Sequence, residues 1–300
     1  MNALLRCHRR RVAFSILLTA LGFIIPIHII SKGFQNSRTF TFADLLKAPG
    51  TLQPHDPDLI QYLQDNVLMD IAQFQKTNLT KVPKPSLGST EFGQINQSAI
   101  IDHFLQGKRS GFFIEAGAWD GQYLSNSLFF EKERGWTGLL IEPNTEAFQS
   151  LMMNPARNRS VAANACLSIH KYPEQVAFDS ADVFGGILDT DHLPDQNMMN
   201  LRSGITKGRS LYRVQCYPLY SLLLAMGNPT VDYFSLDIEG AEIKVLLTIP
   251  FDKVNIRTLS IEVEHSKKSV IRKMMTKRGY KLYKALKTDY IYVKDDNSHP

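Results

Sequence analysis

The stretch FFIEAGAWDGQYLSNSLFF, Phe112 to Phe130, decides the fold. Three apolar residues lead into an acid, two glycines stand four apart, and a helix-like run follows. That order reads as a strand, a tight corner and a helix start, the arrangement that places a ligand beyond a strand's carboxyl end in an open α/β sheet. Gly117 can take the positive φ of such a corner and lets a ligand approach the backbone. A dinucleotide site would show G-x-G-x-x-G; the sequence has G-A-W-D-G, which speaks against nicotinamide and flavin cofactors.

Working outward, GLLIEP is a second strand after the helix SNSLFFEKERG, capped by Ser125 or Asn126 and stopped by Gly135. NTEAFQSLMM is a helix capped by Asn144, and VAANACLS a third strand. DYFSLDIEG is a fourth strand entering the helix AEIKVLLTI, and TLSIEVEH a fifth. A basic helix, KKSVIRKMMTKRG, precedes an antiparallel pair, YKLYKA and DYIYVK, turning at Lys287-Thr288. Strands alternating with helices predict a mostly parallel sheet covered on both faces. Upstream, Asp56-Pro57 opens a helix with Leu59, Leu63, Val67 and Ile71 on one face. SAIIDHFLQ is a second helix, capped by Ser98. Residues 169–226 show little periodicity and read as an excursion over one end of the sheet.

The chain has 300 residues, 44% hydrophobic and 21% charged, enough for a sizeable core. Its formal charge is +5, of which Arg6, Arg9, Arg10 and Arg11 supply four, so the body is nearly neutral and nucleic-acid binding is not expected. Val12 to Ser31 carries no Asp, Glu, Lys or Arg. As a helix it spans roughly 30 Å, the thickness of a bilayer core. The basic cluster before it predicts a cytosolic tail (1–11), a transmembrane signal anchor (12–31), a lumenal stem and helical extension (32–94) and a lumenal domain (95–296). A removable signal peptide cut near Ala20-Leu21-Gly22 is the competing reading. Either way the domain lies in the secretory pathway, in endoplasmic reticulum, Golgi, endosome or plasma membrane. The sequons at Asn78, Asn96 and Asn158 suit that placement, which makes a glycoprotein expected. Cys166 and Cys216 bridge there if the fold brings them within about 7 Å; otherwise they are two buried thiols.

Glu115 and Glu142 end the first two strands and are directed toward one crevice. A carboxylate at the second tip can accept both hydroxyls of a ribose, and one at the first can face an ammonium group, a pairing that suits S-adenosylmethionine. The plainer reading is two exposed strand-end acids.

GAWDGQYLSNSLFFEKERGWTGLLIEPN, DYFSLDIEGAEIKVL and TLSIEVEH resemble the FkbM-type methyltransferase domain. The resemblance implies a seven-stranded, Rossmann-like S-adenosylmethionine-binding sheet, with Glu115, Gly117 and Gly121 at the methionine end of the cofactor. It places Glu142 at the ribose and Cys166-Leu167-Ser168, Leu167 above all, at the adenine. Trp119 and Glu115 depart from the family's usual small polar residue and Asp. Asp237, Glu239 and His265 are the candidate bases for methyl transfer to an oxygen of a glycan, lipid or small molecule; helix capping and an exposed imidazole are the plainer roles. No metal is expected. The segments DPDLIQYLQDN and FGQINQSAIIDHFLQGKRS, with the anchor, resemble an animal branch of that family. This branch implies a non-catalytic alternative, a trafficking factor for membrane cargo such as growth-factor precursors. A lumenal glycosyltransferase is a third reading, on Asp189-Thr-Asp191-His192, whose commoner explanation is a solvated loop. The nine cations between Lys267 and Lys287 read as a solvated face.

Overall fold

Helix α1 (Pro57–Asn66) begins as expected: the Asp56 side chain accepts from the Asp58 N–H, Pro57 fills the first turn, and Leu59 and Leu63 are buried. Its expected continuation to Ile71 is corrected. A short strand, β1 (Leu68–Asp70), intervenes, and Asp70 caps a new helix, α2 (Ile71–Thr77), by accepting from the Gln73 N–H. A second N-cap four residues beyond the first helix's end starts a new helix. The computed structural model describes residues 40–41, 44, 50–78, 93, 95–180, 185–187 and 211–295. The apolar stretch 12–31 and the Asp189–His192 run lie outside them. No helix among the described residues is long and apolar enough to cross a membrane.

The chain continues through α3 (Gln97–Phe104), β2 (Phe112–Ala116), α4 (Leu128–Arg134), β3 (Thr137–Ile141), α5 (Thr145–Met153), β4 (Ser160–Ala163) and β5 (Cys166–Leu167). It then forms β6 (Glu174–Asp179), β7 (Gly186–Ile187), β8 (Leu211–Tyr217), α6 (Leu219–Ala225), β9 (Val231–Leu236) and α7 (Glu242–Thr248). β10 (Ile256–Glu262), α8 (Lys268–Lys277), β11 (Tyr280–Ala285) and β12 (Asp289–Lys294) complete it. The main sheet has the order β1-β4-β3-β2-β9-β10-β12-β11, eight strands rather than the seven expected. β4, β3, β2, β9 and β10 run parallel; β1 and the final hairpin are antiparallel. The sheet is therefore mixed, and the added strand comes from the upstream extension.

Alternation along the strands sorts residues to two faces. Ile114, Leu139, Phe234 and Leu259 pack with α1, α6, α7 and α8, while Phe113, Leu140 and Tyr233 pack with Trp136 and with α2, α4 and α5. Each such fully buried Leu, Phe or Met contributes about 1.5–3 kcal/mol. From β2 the chain goes to β3 on one side and returns as β9 on the other, so the order reverses at β2 and the strand tips open a crevice there.

The expected third strand, VAANACLS, splits. The Asn164 amide donates to the carbonyls of Glu142 and Pro143, ending the ladder. β5 then leaves for a second sheet, β5-β8-β6-β7. Among its described residues the supposed excursion supplies β6, β7 and β8 of this sheet. Cys166 and Cys216 sit directly opposite each other in β5 and β8 and are bridged, with Cα atoms 4.3 Å apart. Closing a loop of 50 residues is worth about 4 kcal/mol by chain entropy.

Candidate active site

Gly117, just past β2, has φ +84°, and a Cβ there would lie 2.0 Å from the carbonyl oxygen of Asp237. The tips of β2 and β9 pinch together at this point, and only glycine fits. Beyond it Trp119 (φ +49°) and Leu124 (φ +55°) are also left-handed, which is costly for bulky side chains. The loop is held from both ends: the Trp119 N–H donates to Glu142 Oε2 at 2.8 Å, and Asp120 accepts from the N–H groups of Gln122 and Tyr123.

Glu115 has a different job from the one expected. Its carboxylate accepts from Ser125 Oγ, from Ser127 Oγ at 2.6 Å, from the Asn126 N–H at 2.6 Å and from Arg157 Nη2 at 3.1 Å. Arg157 is wholly buried and also reaches Glu131 Oε2 at 3.0 Å and the Gly121 carbonyl at 2.7 Å. Gly121 therefore packs on Arg157, with positive φ, and does not line the crevice among the described residues. One buried arginine accounts for both observations: it draws the glycine loop inward and takes up part of a carboxylate that still lines the hollow. The N-cap of α4 is Ser127 rather than Ser125 or Asn126, and Ser125 accepts from the Ser127 and Leu128 N–H groups from two residues upstream; Ser98 lies inside α3, its hydroxyl on the Asn126 carbonyl.

The crevice is a single hollow lined by Gly117, Trp119, Asn126, Glu142, Leu167 and Asp237, with Glu115 and Glu239 also on its wall. Its lining joins apolar residues, Pro143, Leu167, Phe178 and Ile187, to polar ones, Asn126, Ser235 and Asp237. Glu142 follows β3 directly. Each of its oxygens accepts one backbone N–H, from Trp119 and from Asn144 at 2.7 Å, so each retains acceptor capacity. Asn144 itself caps α5 through the Glu146 and Ala147 N–H groups, as expected. Asn126 is 3% exposed and donates to Ser235, yet its Oδ1 has no partner. Cys166 also belongs to the wall. At the rim Tyr123 is 58% exposed.

Asp237 follows β9 and faces the hollow. Burial first, then the charges of Glu239, Asp289, Glu262 and Glu242, hold its carboxyl well above the usual range. Glu239, left-handed at φ +57°, pairs with His265 Nε2 at 3.2 Å, and burial raises its pKa too. His265 itself is half exposed and outside the hollow, touching it only through Glu239. The buried Glu242 organises this loop by accepting from the Ile238 and Gly240 N–H groups and from Ser266.

Burial pushes Glu142 to about 7, and Glu262 likewise to about 7 by burial and then Glu242. The fold holds these protons more tightly than the unfolded chain does. Their contribution to stability is complete below the ordinary carboxylate range and lost as pH rises through 7. The domain is expected to melt several degrees higher at pH 5.5 than at pH 8, on the order of 3 kcal/mol. A melting temperature that rises toward pH 8 would remove the acid cluster as a source of strain.

The model of the Methyltransferase FkbM domain matches residues 115–282, more than half of the chain. Among solved structures, a methyltransferase from Pyrococcus furiosus aligns at 16% identity over 74% of this chain and 98% of its own, with TM-score 0.34. Human methyltransferase 10 domain containing protein aligns at 11% identity over 80% and 98%, with TM-score 0.37. No curated protein matches the chain.

Proposed function

The chain belongs to the Methyltransferase FkbM domain family, and on that premise we propose that the hollow binds S-adenosylmethionine for methyl transfer to an oxygen acceptor. The observation that carries this reading is one hollow at the point where the strand order reverses, whose wall joins Glu142, with acceptor capacity left on both oxygens, to the apolar side chains Leu167, Phe178 and Ile187. Glu142, with a free lone pair on each oxygen, suits two neighbouring hydroxyls, and Leu167 with Phe178 and Ile187 suits a flat aromatic ring. The side-chain-free Gly117 leaves room at the corner. When bound, the cofactor supplies an electrophilic methyl on a cationic sulfur.

The chain's own part is to position and to take a proton. Asp237, with no side-chain hydrogen bond among the described residues and a raised affinity for protons, is the preferred base. Glu239, steered by His265, stands beside it. Trp119 and Tyr123 form the rim an acceptor must pass. The acid-rich wall disfavours anionic acceptors and leaves a neutral glycan, lipid or small molecule as the class.

We propose further that residues 12–31 anchor the domain in a membrane of the secretory pathway; the buried disulfide supports an oxidising compartment. The experiment is transfer of tritiated methyl groups from S-adenosylmethionine into a microsomal extract. Asp237→Asn is expected to lower incorporation about 100-fold while S-adenosylhomocysteine still binds. Equal incorporation by the variant would remove Asp237 as base. A chain that binds S-adenosylhomocysteine but transfers nothing would favour the cargo-carrying role instead.

A further inference from the structure

The disulfide is not remote from the hollow. Cys166 forms part of its wall beside Leu167, and the next strands of the second sheet add the apolar Phe178 and Ile187 to the same lining. We infer that Cys166–Cys216 is a thiol–disulfide exchange site coupled to ligand binding: opening it releases the apolar wall, and an adenosyl ligand seated against that wall protects it. The inference rests on the reading of the hollow as an adenosyl site.

Three observations carry it. First, β5 is an edge strand of two residues, held to β8 by two register positions, by the Ser168 N–H on the Tyr217 carbonyl and by the disulfide. Second, one of the sheet's buried clusters is Cys166, Val176, Phe178, Val214 and Cys216, so the cystine is a large part of what that side packs around. A small layer of this kind depends on its staple. Third, Cys216 is 0% exposed and Cys166 4%, and Cys166 is a lining residue of the hollow, so a small reductant has an approach through the hollow. The same opening is filled when a ligand is bound.

The chemistry balances with a dithiol as reductant. Its thiolate attacks Cys166 Sγ, the Sγ–Sγ bond breaks and Cys216 leaves as a thiolate that takes a proton. The reagent's second thiol then displaces Cys166 and departs as a cyclic disulfide, two electrons and two protons having moved to the protein. Reduction frees β5 to separate from β8 and carries Leu167 from the wall. By linkage, whatever factor separates ligand affinity for the oxidised and reduced forms also separates the ease of reduction with and without ligand.

The test uses the full chain, dithiothreitol and S-adenosylhomocysteine. The oxidised chain is expected to bind at least about tenfold more tightly than the reduced one, and saturating ligand is expected to slow reduction by a similar factor. Cys216→Ala should bind like the reduced chain whether or not dithiothreitol is present. Should that variant fail to fold, the protection measurement on the wild type stands alone. Equal affinity in both states without protection overturns the coupling, as does loss of far-ultraviolet dichroism on reduction, which would make the bridge a global staple. An oxidised chain that binds no S-adenosylhomocysteine at all overturns the adenosyl reading itself, and the coupling with it.

Discussion

Arg157→Met is expected to destabilise the domain by about 3–5 kcal/mol. The guanidinium is 0% exposed and its donors are committed: Nε to the Gly121 carbonyl, Nη1 to Glu131, and Nη2 to Glu115, Ser125 at 2.6 Å and Ser127 at 3.1 Å. One cation thus serves two buried carboxylates. Their other lone pairs are occupied, Glu115 by the serines and the Asn126 N–H, Glu131 by the Asn158 and Arg159 N–H groups and Ser160. Methionine keeps the stem's packing against Phe113, on whose ring the guanidinium lies, but leaves two uncompensated charges in the interior. Chemical denaturation measures the loss. Combining the change with Glu115→Gln and Glu131→Gln should recover a good part of it, because these residues act as one unit. A loss below about 1 kcal/mol would mean that water reaches the cluster and that the glycine loop is held by other means.

Glu142→Gln is expected to weaken S-adenosylhomocysteine binding by about 10- to 150-fold, the worth of charge-assisted hydrogen bonds to two hydroxyls. The fold should not suffer in parallel. Burial raises the Glu142 pKa to about 7, so the ionised group is a burden on the folded state at pH 8, and the neutral amide relieves it. The Gln oxygen can still accept from the Asn144 or the Trp119 N–H, though not from both. Calorimetric titration beside a thermal melt at pH 8 separates the two effects. Affinity should fall while the melting temperature holds or rises. A parallel fall in both would make Glu142 a structural acid that tethers the Trp119 loop, with no ligand role.

The parallel strands, their helices and the closing hairpin were legible because alternation and capping residues are local signals. Asn144 and Asp56 cap where their positions predict. β1 was not, since three residues ending in Asp70 carry too little periodicity to compete with the apolar spacing around them. Nor was the divorce of β5 from β4, which depends on where one amide, Asn164, finds its carbonyls. At the site, Gly117, Glu142, Leu167, Asp237 and Glu239 do meet in one hollow. Gly121 was misplaced because its partner, Arg157, lies in an irregular run, NPARNRS, where an arginine reads as solvated; the same arginine gives Glu115, which lines the hollow as expected, a partner that spacing does not show. Asn126 was read only as a helix cap; its open acceptor depends on tertiary packing that spacing does not encode. His265 reaches the hollow only through another side chain, a distinction no linear pattern carries.

The most direct measurement is a crystal structure of the oxidised chain with S-adenosylhomocysteine. One molecule is expected in the hollow, adenine against Leu167 and Phe178, ribose hydroxyls on Glu142, and the methionine end toward Gly117 and Asp237. An empty hollow at saturating ligand, or a molecule bound with its sugar away from Glu142, would contradict it.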